Sequence, residues 1–302
     1  MTNEKIAVLL PCFNEAGAIG QTVSSFRTSL PNADIYVYDN NSTDNTIAEA
    51  SEAGAIIRTE PRQGKGEVVR RMFSDIEADI YVMADGDNTY DASICPKLIE
   101  HLLSERLDMV IGSRERAIGA YPTGHIYGNK FFSALVNGAF SAHFEDVFSG
   151  YRVMSRRFVK SVPIFSDGFQ IETELTVHAL HHNMPTKEVA TQYSPRPDGT
   201  ESKLHTLSDG VKIFNFILFI LRDVKPLLFF GVLALFLAGL SLTLGIPVIV
   251  DFIETGLVER VPTAILASSI ALIAVMSFFC GLILDNVSRG RREIKILSML
   301  NL

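Results

Sequence analysis

Asp85-Gly86-Asp87 is the stretch of this 302-residue sequence whose side chains are best suited to chemistry. Two carboxylates one residue apart can meet a single divalent cation, and the glycine between them permits a tight backbone path. Mg2+ or Mn2+ accepts few protein carboxylates and keeps positions for phosphate oxygens and water. RQGKG (62–66) leads into a helical segment and can bring backbone amides and the Lys65 ammonium towards an anion. PCFNE (11–15), DNNSTDNT (39–46) and GSRER (112–116) contribute Glu15, Asp39, Asp44 and Arg114. Asp44 suits capping of the helix that follows, whereas Asp39, at a strand's edge, is better placed for a ligand.

Each of these motifs follows a short apolar run. KIAVLLP, DIYVYD, AIIRTE, DIYVMAD and DMVIGS read as strands, separated by the helix-like segments AIGQTVSSFRTSL, TDNTIAEASEA, GEVVRRMFSDIEA and ICPKLIEHLLSE. Strands spaced by helices imply βαβ units and a mostly parallel sheet, and strands apolar throughout imply helices on both faces. In such a sheet the ligand lies beyond the carboxyl ends of the strands, where the motifs stand.

Beyond about residue 210 the composition changes. Leu227 to Val250 and Val261 to Leu284 each run 24 residues without a charge. As helices they would measure about 36 Å, enough for a hydrocarbon layer of about 30 Å. The connection from Asp251 to Arg260 is mainly acidic. Lys212, Arg222 and Lys225 on one flank, and Arg289, Arg291, Arg292 and Lys295 on the other, are basic. Basic flanks stay inside, so both termini and the catalytic part are expected to be cytoplasmic, with a multi-pass anchor in the cell (inner) membrane. The segment 209–225 reads as an interfacial amphipathic helix. The expected organisation is thus a domain over 1–208, that helix, two spans within 226–285 and a basic tail over 286–302.

Composition narrows the class. A formal net charge of −7 argues against binding duplex nucleic acid. Cys12, Cys95 and Cys280 are scattered and form no C-x-x-C pair, which points to a reducing compartment. His178, His181 and His182 lack a ligand spacing and read as core or surface residues. Glu172 and Glu174 could reach a ligand in the site, yet an exposed acidic helix start explains them as well.

Taken in order, PCFNE, DNNSTD, RQGKG, DGD, GSR and SGYRVMSRR resemble the family 2 glycosyltransferases. The resemblance implies an α/β GT-A (Rossmann-like) fold over roughly residues 5 to 210. The hairpin, and RPDGTESKL ahead of it, resemble the polyprenyl-phosphate sugar synthases, the group of dolichol-phosphate mannose synthase. By that resemblance Pro11, Glu15, Asp39, Lys65 and Asp85 would bind the nucleotide. Asp85 and Asp87 would hold Mg2+ or Mn2+, with Asp87 the more direct ligand. Arg114 would stand beside the reacting phosphates and Asp146 in the active site, which makes Asp87, Arg114 and Asp146 the catalytic set. Arg196, Ser202 and Lys203, together with Arg114, would meet the acceptor phosphate. Two departures stand out: an extra residue lies between Gly199 and Ser202, and Thr89 replaces the amide side chain expected after the second aspartate, leaving the third metal ligand open.

The implied reaction is inverting transfer of a hexose from a nucleotide sugar, UDP-glucose or UDP-N-acetylglucosamine first among them, to a polyprenyl phosphate in the membrane. A phosphate monoester ionises with a second pKa of about 6, so a general base is dispensable. The alternative is a transferase extending a lipid-linked sugar hydroxyl in cell-envelope glycan synthesis. It would need a base, for which Asp146 or Glu172 could serve. A processive polysaccharide synthase would carry a Q-x-x-R-W element, which a sequence without tryptophan cannot contain. A homo-oligomer is left open.

Overall fold

The computed structural model describes residues 4–115, 123–140, 142–168, 170–195 and 206–299. Contacts divide the chain into two units, residues 1–214 with 301–302, and residues 215–300. In the first unit the elements run β1 (Ile6–Cys12), α1 (Ile19–Ser29), β2 (Asp34–Asp39), α2 (Thr46–Glu52), β3 (Ile56–Thr59), α3 (Lys65–Asp75), β4 (Ile80–Met83) and α4 (Cys95–Ser104). They continue with β5 (Met109–Glu115), α5 (Thr123–Phe140), β6 (Arg152–Ser155), α6 (Arg156–Ser161), α7 (Ile171–His181) and β7 (Thr186–Gln192). All five strands read from the sequence are present. β6 and β7 are additional: β6 is only four residues long with a charged start, and β7 is half exposed, so neither carries an apolar run.

The sheet order is β3-β2-β1-β4-β6-β5-β7. β6 pairs antiparallel with both β4 and β5, and every other pairing is parallel. Val8, Leu10, Ile80 and Val82 join Val23, Phe26, Leu98 and Leu102 in a core beneath α1 and α4. The alternate residues face the other side, where Tyr81 meets Phe73 of α3 edge-on and the Tyr38 hydroxyl donates to Asp75. Both faces are therefore covered, as continuous apolar strands require.

The chain leaves β1 for β2 on one side and reaches β4 on the other, so the strand order reverses between β1 and β4, the place where ligands bind in open α/β sheets. The pairing of β1 with β4 stops at Leu9 and Met83, while that with β2 continues to Cys12 and Asp39. Leu9 presents its carbonyl to Ala84 on the β4 side and Cys12 presents its own to Asn40 on the β2 side. Strand alternation then turns Pro11 towards the β4 side, past the end of that ladder. A residue without an N–H costs no hydrogen bond there.

The carboxyl-terminal segment begins with α8 (Thr206–Val224), which crosses the division between the units and carries exposed Phe214 and Phe219. It is followed by α9 (Pro226–Thr255) and α10 (Val261–Met299), both long and apolar enough to cross a membrane. Both outrun their charge-free stretches. Asp251 and Glu254 lie in the last turns of α9, and the tail expected after residue 285 is helix as far as Met299. Charge marks what hydrocarbon tolerates, not where backbone hydrogen bonding stops. α9 ends at Gly256 (φ 70°), whose N–H returns to the Phe252 carbonyl at 2.8 Å. Apart from Pro226 and Met299 near the helix ends, the buried positions recur every seventh residue: Ala234, Ser241 and Val248 on α9, and Ala267, Ala274, Gly281 and Ser288 on α10.

Candidate active site

The strand ends are joined into one surface by short hydrogen bonds. The Asn40 side chain after β2 donates to the carbonyls of Glu60 and Arg62 at 2.8 and 2.7 Å, and its Oδ1 accepts the Gly64 amide at 2.7 Å. Thr22 of α1 donates to the Gly86 carbonyl at 3.2 Å. A Cβ on Gly86 would lie 2.5 Å from Cys12 Sγ, so only glycine allows the β4 loop to reach the end of β1. Burial pushes the Cys12 thiol well up, and the carboxylates of Glu15, Asp39, Asp85 and Asp87 push it further. Four of the expected nucleotide or metal residues thus act on one thiol at the end of β1. Asp39 is itself buried, and both its oxygens accept the Ser42 amide. Asp44 accepts the amides of Ala16 and of Thr46, the first residue of α2, while the N-cap position itself is Asn45, whose side chain makes no cap bond.

Lys65 opens α3. Its ammonium lies 2.5 Å from Asp85 Oδ1 and 2.5 Å from Glu172 Oε1. Burial would lower its pKa, but the two carboxylates and their hydrogen bonds raise it further, so the amine is held protonated. The loop before it is not an open cradle of amides. The Gly64 N–H is taken by Asn40 and the Gly66 N–H by the Asp167 carbonyl at 3.1 Å. A Cβ on Gly64 would lie 2.1 Å from the Asp167 carbonyl oxygen, and one on Gly66 2.0 Å from that of Ser166. These glycines serve a backbone-to-backbone approach, a role the sequence did not separate from anion binding.

The facing segment is fixed with equal care. Glu174 accepts the amides of Phe165 and Ser166 at 2.7 and 2.9 Å and the Ser166 hydroxyl at 2.6 Å. Glu172 is 4% exposed and Glu174 6%, which corrects their reading as an exposed helix start. Carboxylates buried at the head of an otherwise apolar helix need partners, and that pattern in FQIETELTV was the available signal. His178 is also buried, edge-on to Phe158 and 3.1 Å from the Ser161 hydroxyl, so its core reading holds.

Asp85 and Asp87 differ in setting. Asp87 is 1% exposed, and its Oδ1 accepts the Thr89 hydroxyl at 2.6 Å and the Thr89 amide at 3.3 Å. Asp85 is the more accessible, with 30% of its side chain exposed. It faces Gly150, where a Cβ would lie 2.8 Å from Asp85 Oδ2. Among the described residues no three or more His, Cys, Asp or Glu side chains converge into a metal cage. Two hard carboxylates on one tight turn still fit Mg2+ or Mn2+, which fills its remaining positions from phosphate and water.

A second ion pair lies close by. Arg114 of β5 grips Asp146 through two parallel bonds, Nε to Oδ2 at 2.6 Å and Nη2 to Oδ1 at 2.7 Å. Asn129 Nδ2 and the Phe148 amide also donate to Asp146 Oδ1. Burial alone would raise the Asp146 pKa, but its bonds and the charge of Arg114 outweigh that and hold it low. Between the two pairs stands Tyr90, whose hydroxyl accepts the Gly150 amide at 2.9 Å and whose ring packs on Tyr151 and Tyr193. Arg152 is wholly buried. It donates to the carbonyls of Val147, Ser149 and Glu172, and burial lowers its pKa to about 10. That matches a structural role. Arg196, Ser202 and Lys203 lie outside the described residues.

The model of a known family, glycosyl transferase family 2, matches residues 7–162, which reaches from β1 to β6 and takes in Asp39, Lys65, Asp85, Asp87, Arg114 and Asp146, while Ser166, Glu172, Glu174 and Tyr193 lie beyond it. The chain belongs to this family. The glycosyltransferase is 31% identical over 295 residues to Glycosyltransferase AglJ of Haloferax volcanii, covering 97% of this chain and 96% of that protein. It is 28% identical over 234 residues to the dolichol-phosphate mannosyltransferase of Pyrococcus furiosus, covering 73% of this chain and 64% of that one. Among solved structures it is similar to glucosyl-3-phosphoglycerate synthase from Mycobacterium tuberculosis, in complex with Mn2+, UDP and glucosyl-3-phosphoglycerate. That match has a TM-score of 0.60 at 22% identity and covers 74% of this chain and 80% of that one. The fold is GT-A, as the sequence implied.

Proposed function

We propose that this glycosyltransferase moves a hexose from a nucleotide sugar, with UDP as carrier, to the phosphate of a polyprenyl lipid in the membrane holding its carboxyl-terminal hairpin. The observation that carries the reading is the state of the two candidate bases. Asp146 is clamped by Arg114 and held ionised, and Glu172 is spent on Lys65. A carboxylate so engaged is a poor proton acceptor, which suits a nucleophile that needs no deprotonation. The name of the Pyrococcus furiosus relative, a dolichol-phosphate mannosyltransferase, supports the same acceptor class.

The site's charge supports a divalent ion. Glu15, Asp39, Asp85 and Asp87 all bear on the end of β1, and Lys65 pairs with Asp85. A diphosphate would be repelled there, and a related structure holds Mn2+ with UDP. When bound by Asp85 and Asp87, Mg2+ or Mn2+ would offset the charge gathering on the departing diphosphate. Pro11, Glu15 and Asp39 would line the nucleoside side. Arg114, oriented by Asp146 and lying 5.6 Å over the Tyr193 ring, would draw in the acceptor phosphate, with Arg196, Ser202 and Lys203 in the same role. The hairpin would keep the enzyme in the inner membrane with its catalytic unit in the cytoplasm.

Membranes incubated with radiolabelled UDP-sugars and undecaprenyl phosphate, then extracted, should yield labelled polyprenyl-phosphate sugar. Asp87→Ala should cut that labelling at least about a hundredfold while membrane insertion persists, as losing one charge-stabilising group typically does. Extension of an existing glycolipid, with no labelled lipid phosphate, would replace this reading with transfer to a sugar hydroxyl.

A further inference from the structure

Lys65 occupies the position of a cation that the chemistry calls for. Its ammonium is shared between Asp85, one of the two aspartates read as metal ligands, and Glu172, which belongs to no motif read from the sequence. The backbone at both ends of this bridge is fixed. The amides flanking Lys65 are bound by Asn40 and Asp167, and the Glu172 carbonyl receives Arg152 Nη2 at 2.8 Å and the Thr176 hydroxyl at 3.0 Å. What remains free to move is the four-carbon stem of the lysine. Asp85 is the accessible end of the bridge and Glu172 the buried end.

A divalent cation and an ammonium repel each other and cannot both take Asp85 Oδ1. We propose that Lys65 is the resident counter-ion of Asp85 in the metal-free enzyme, and that a divalent cation arriving with a nucleoside diphosphate displaces it towards the diphosphate while Glu172 keeps it within reach. Metal and nucleotide then bind cooperatively. The metal alone must evict a bound cation without recompense, whereas with nucleotide present the evicted ammonium gains phosphate oxygens. Lys65 and Glu172 are on this view positioning residues, and the inference rests on the metal reading of Asp85 and Asp87.

The test titrates Mn2+ into the full chain in detergent, with and without UDP, following free Mn2+ by its electron paramagnetic resonance signal. In the unaltered enzyme UDP should tighten Mn2+ binding. Lys65→Met should bind Mn2+ alone about tenfold more tightly, yet bind UDP at saturating Mn2+ about tenfold more weakly. Glu172→Gln, which leaves the ammonium wholly on Asp85, should weaken Mn2+ alone by a few fold, and Lys65→Arg should restore the original pattern. A lysine serving only as a brace would lower both affinities in Lys65→Met. That result, or Mn2+ affinity no tighter than in the unaltered enzyme, overturns the displacement. If the unaltered enzyme binds no Mn2+ even with UDP, the metal reading fails and takes this inference with it.

Discussion

The catalytic unit and the helical hairpin solve the same problem, close approach of two backbones, with opposite distributions of side chains. In the catalytic unit large apolar groups fill both faces of the sheet, and Gly64, Gly66, Gly86 and Gly150 appear one at a time where a loop must touch a neighbour. In the hairpin mostly small residues spaced by seven, Ala234 and Ser241 on α9 and Ala267, Ala274, Gly281 and Ser288 on α10, form the interior, and Leu235, Phe236, Ile265 and Leu272 point outward, each more than half exposed. The difference reflects the solvent each surface meets. Water drives apolar area inward, whereas the membrane proposed for the hairpin would give Leu no reason to hide, and helices there would associate by fit at small residues.

Substitutions separate the two regimes. The largest stability effect is expected from Gly66→Ala, whose new Cβ would fall 2.0 Å from a backbone oxygen. It should cost about 3 kcal/mol or more in thermal unfolding. Gly231→Ala in α9, with nothing within 4 Å of its Cβ, should stay within about 0.5 kcal/mol. Equal effects would erase the contrast. Asp146→Asn removes the charge that the partly buried Arg114 grips and should cost about 3 kcal/mol at neutral pH. Because the folded state holds the Asp146 pKa below its unfolded value, this stabilisation is complete above the ordinary carboxylate range of about 4 and is lost as pH falls through the folded value. The gap between variant and parent should therefore narrow on acidification, as urea titrations at several pH values would show.

The hairpin should respond more mildly. Gly281→Leu puts bulk where a Cβ already lies 3.0 Å from Phe230 Cβ and should weaken the α9–α10 pairing by about 1–3 kcal/mol, read by protease resistance in micelles, with catalytic-unit unfolding unchanged. Only a small change is expected from Ser241→Ala. It removes a 2.8 Å bond to the Ala267 carbonyl, worth about 0.6 kcal/mol between membrane helices. A much larger loss would mean that polar bonding, not close fit, holds the hairpin.

Sequence revealed what depends on local pattern. The five apolar strands, their helices, the charge-free spans and the acidic turn after β4 each announce themselves within a dozen residues. What it hid depends on long-range placement. β6 lies antiparallel between β4 and β5, and nothing in RVMS alone states that. Glu172 reaches Lys65 across 107 positions of chain, so its carboxylate looked like solvated surface until the fold buried it. RQGKG looked like an anion cradle because glycine-rich loops serve both purposes, and only the neighbouring Ser166 and Asp167 carbonyls tell the two apart.

The burial of Cys12 and Cys95 has a practical corollary. Both thiols are shut away, Cys12 pushed well up and Cys95 raised to about 12, so neither offers a thiolate to a reagent at neutral pH. Cys280, exposed on α10, is the chain's third sulfhydryl. A nitroxide maleimide applied to the unaltered polypeptide in mild detergent would mark that one helix, and after reconstitution its relaxation by oxygen against a water-soluble nickel chelate would gauge immersion depth with no residue changed.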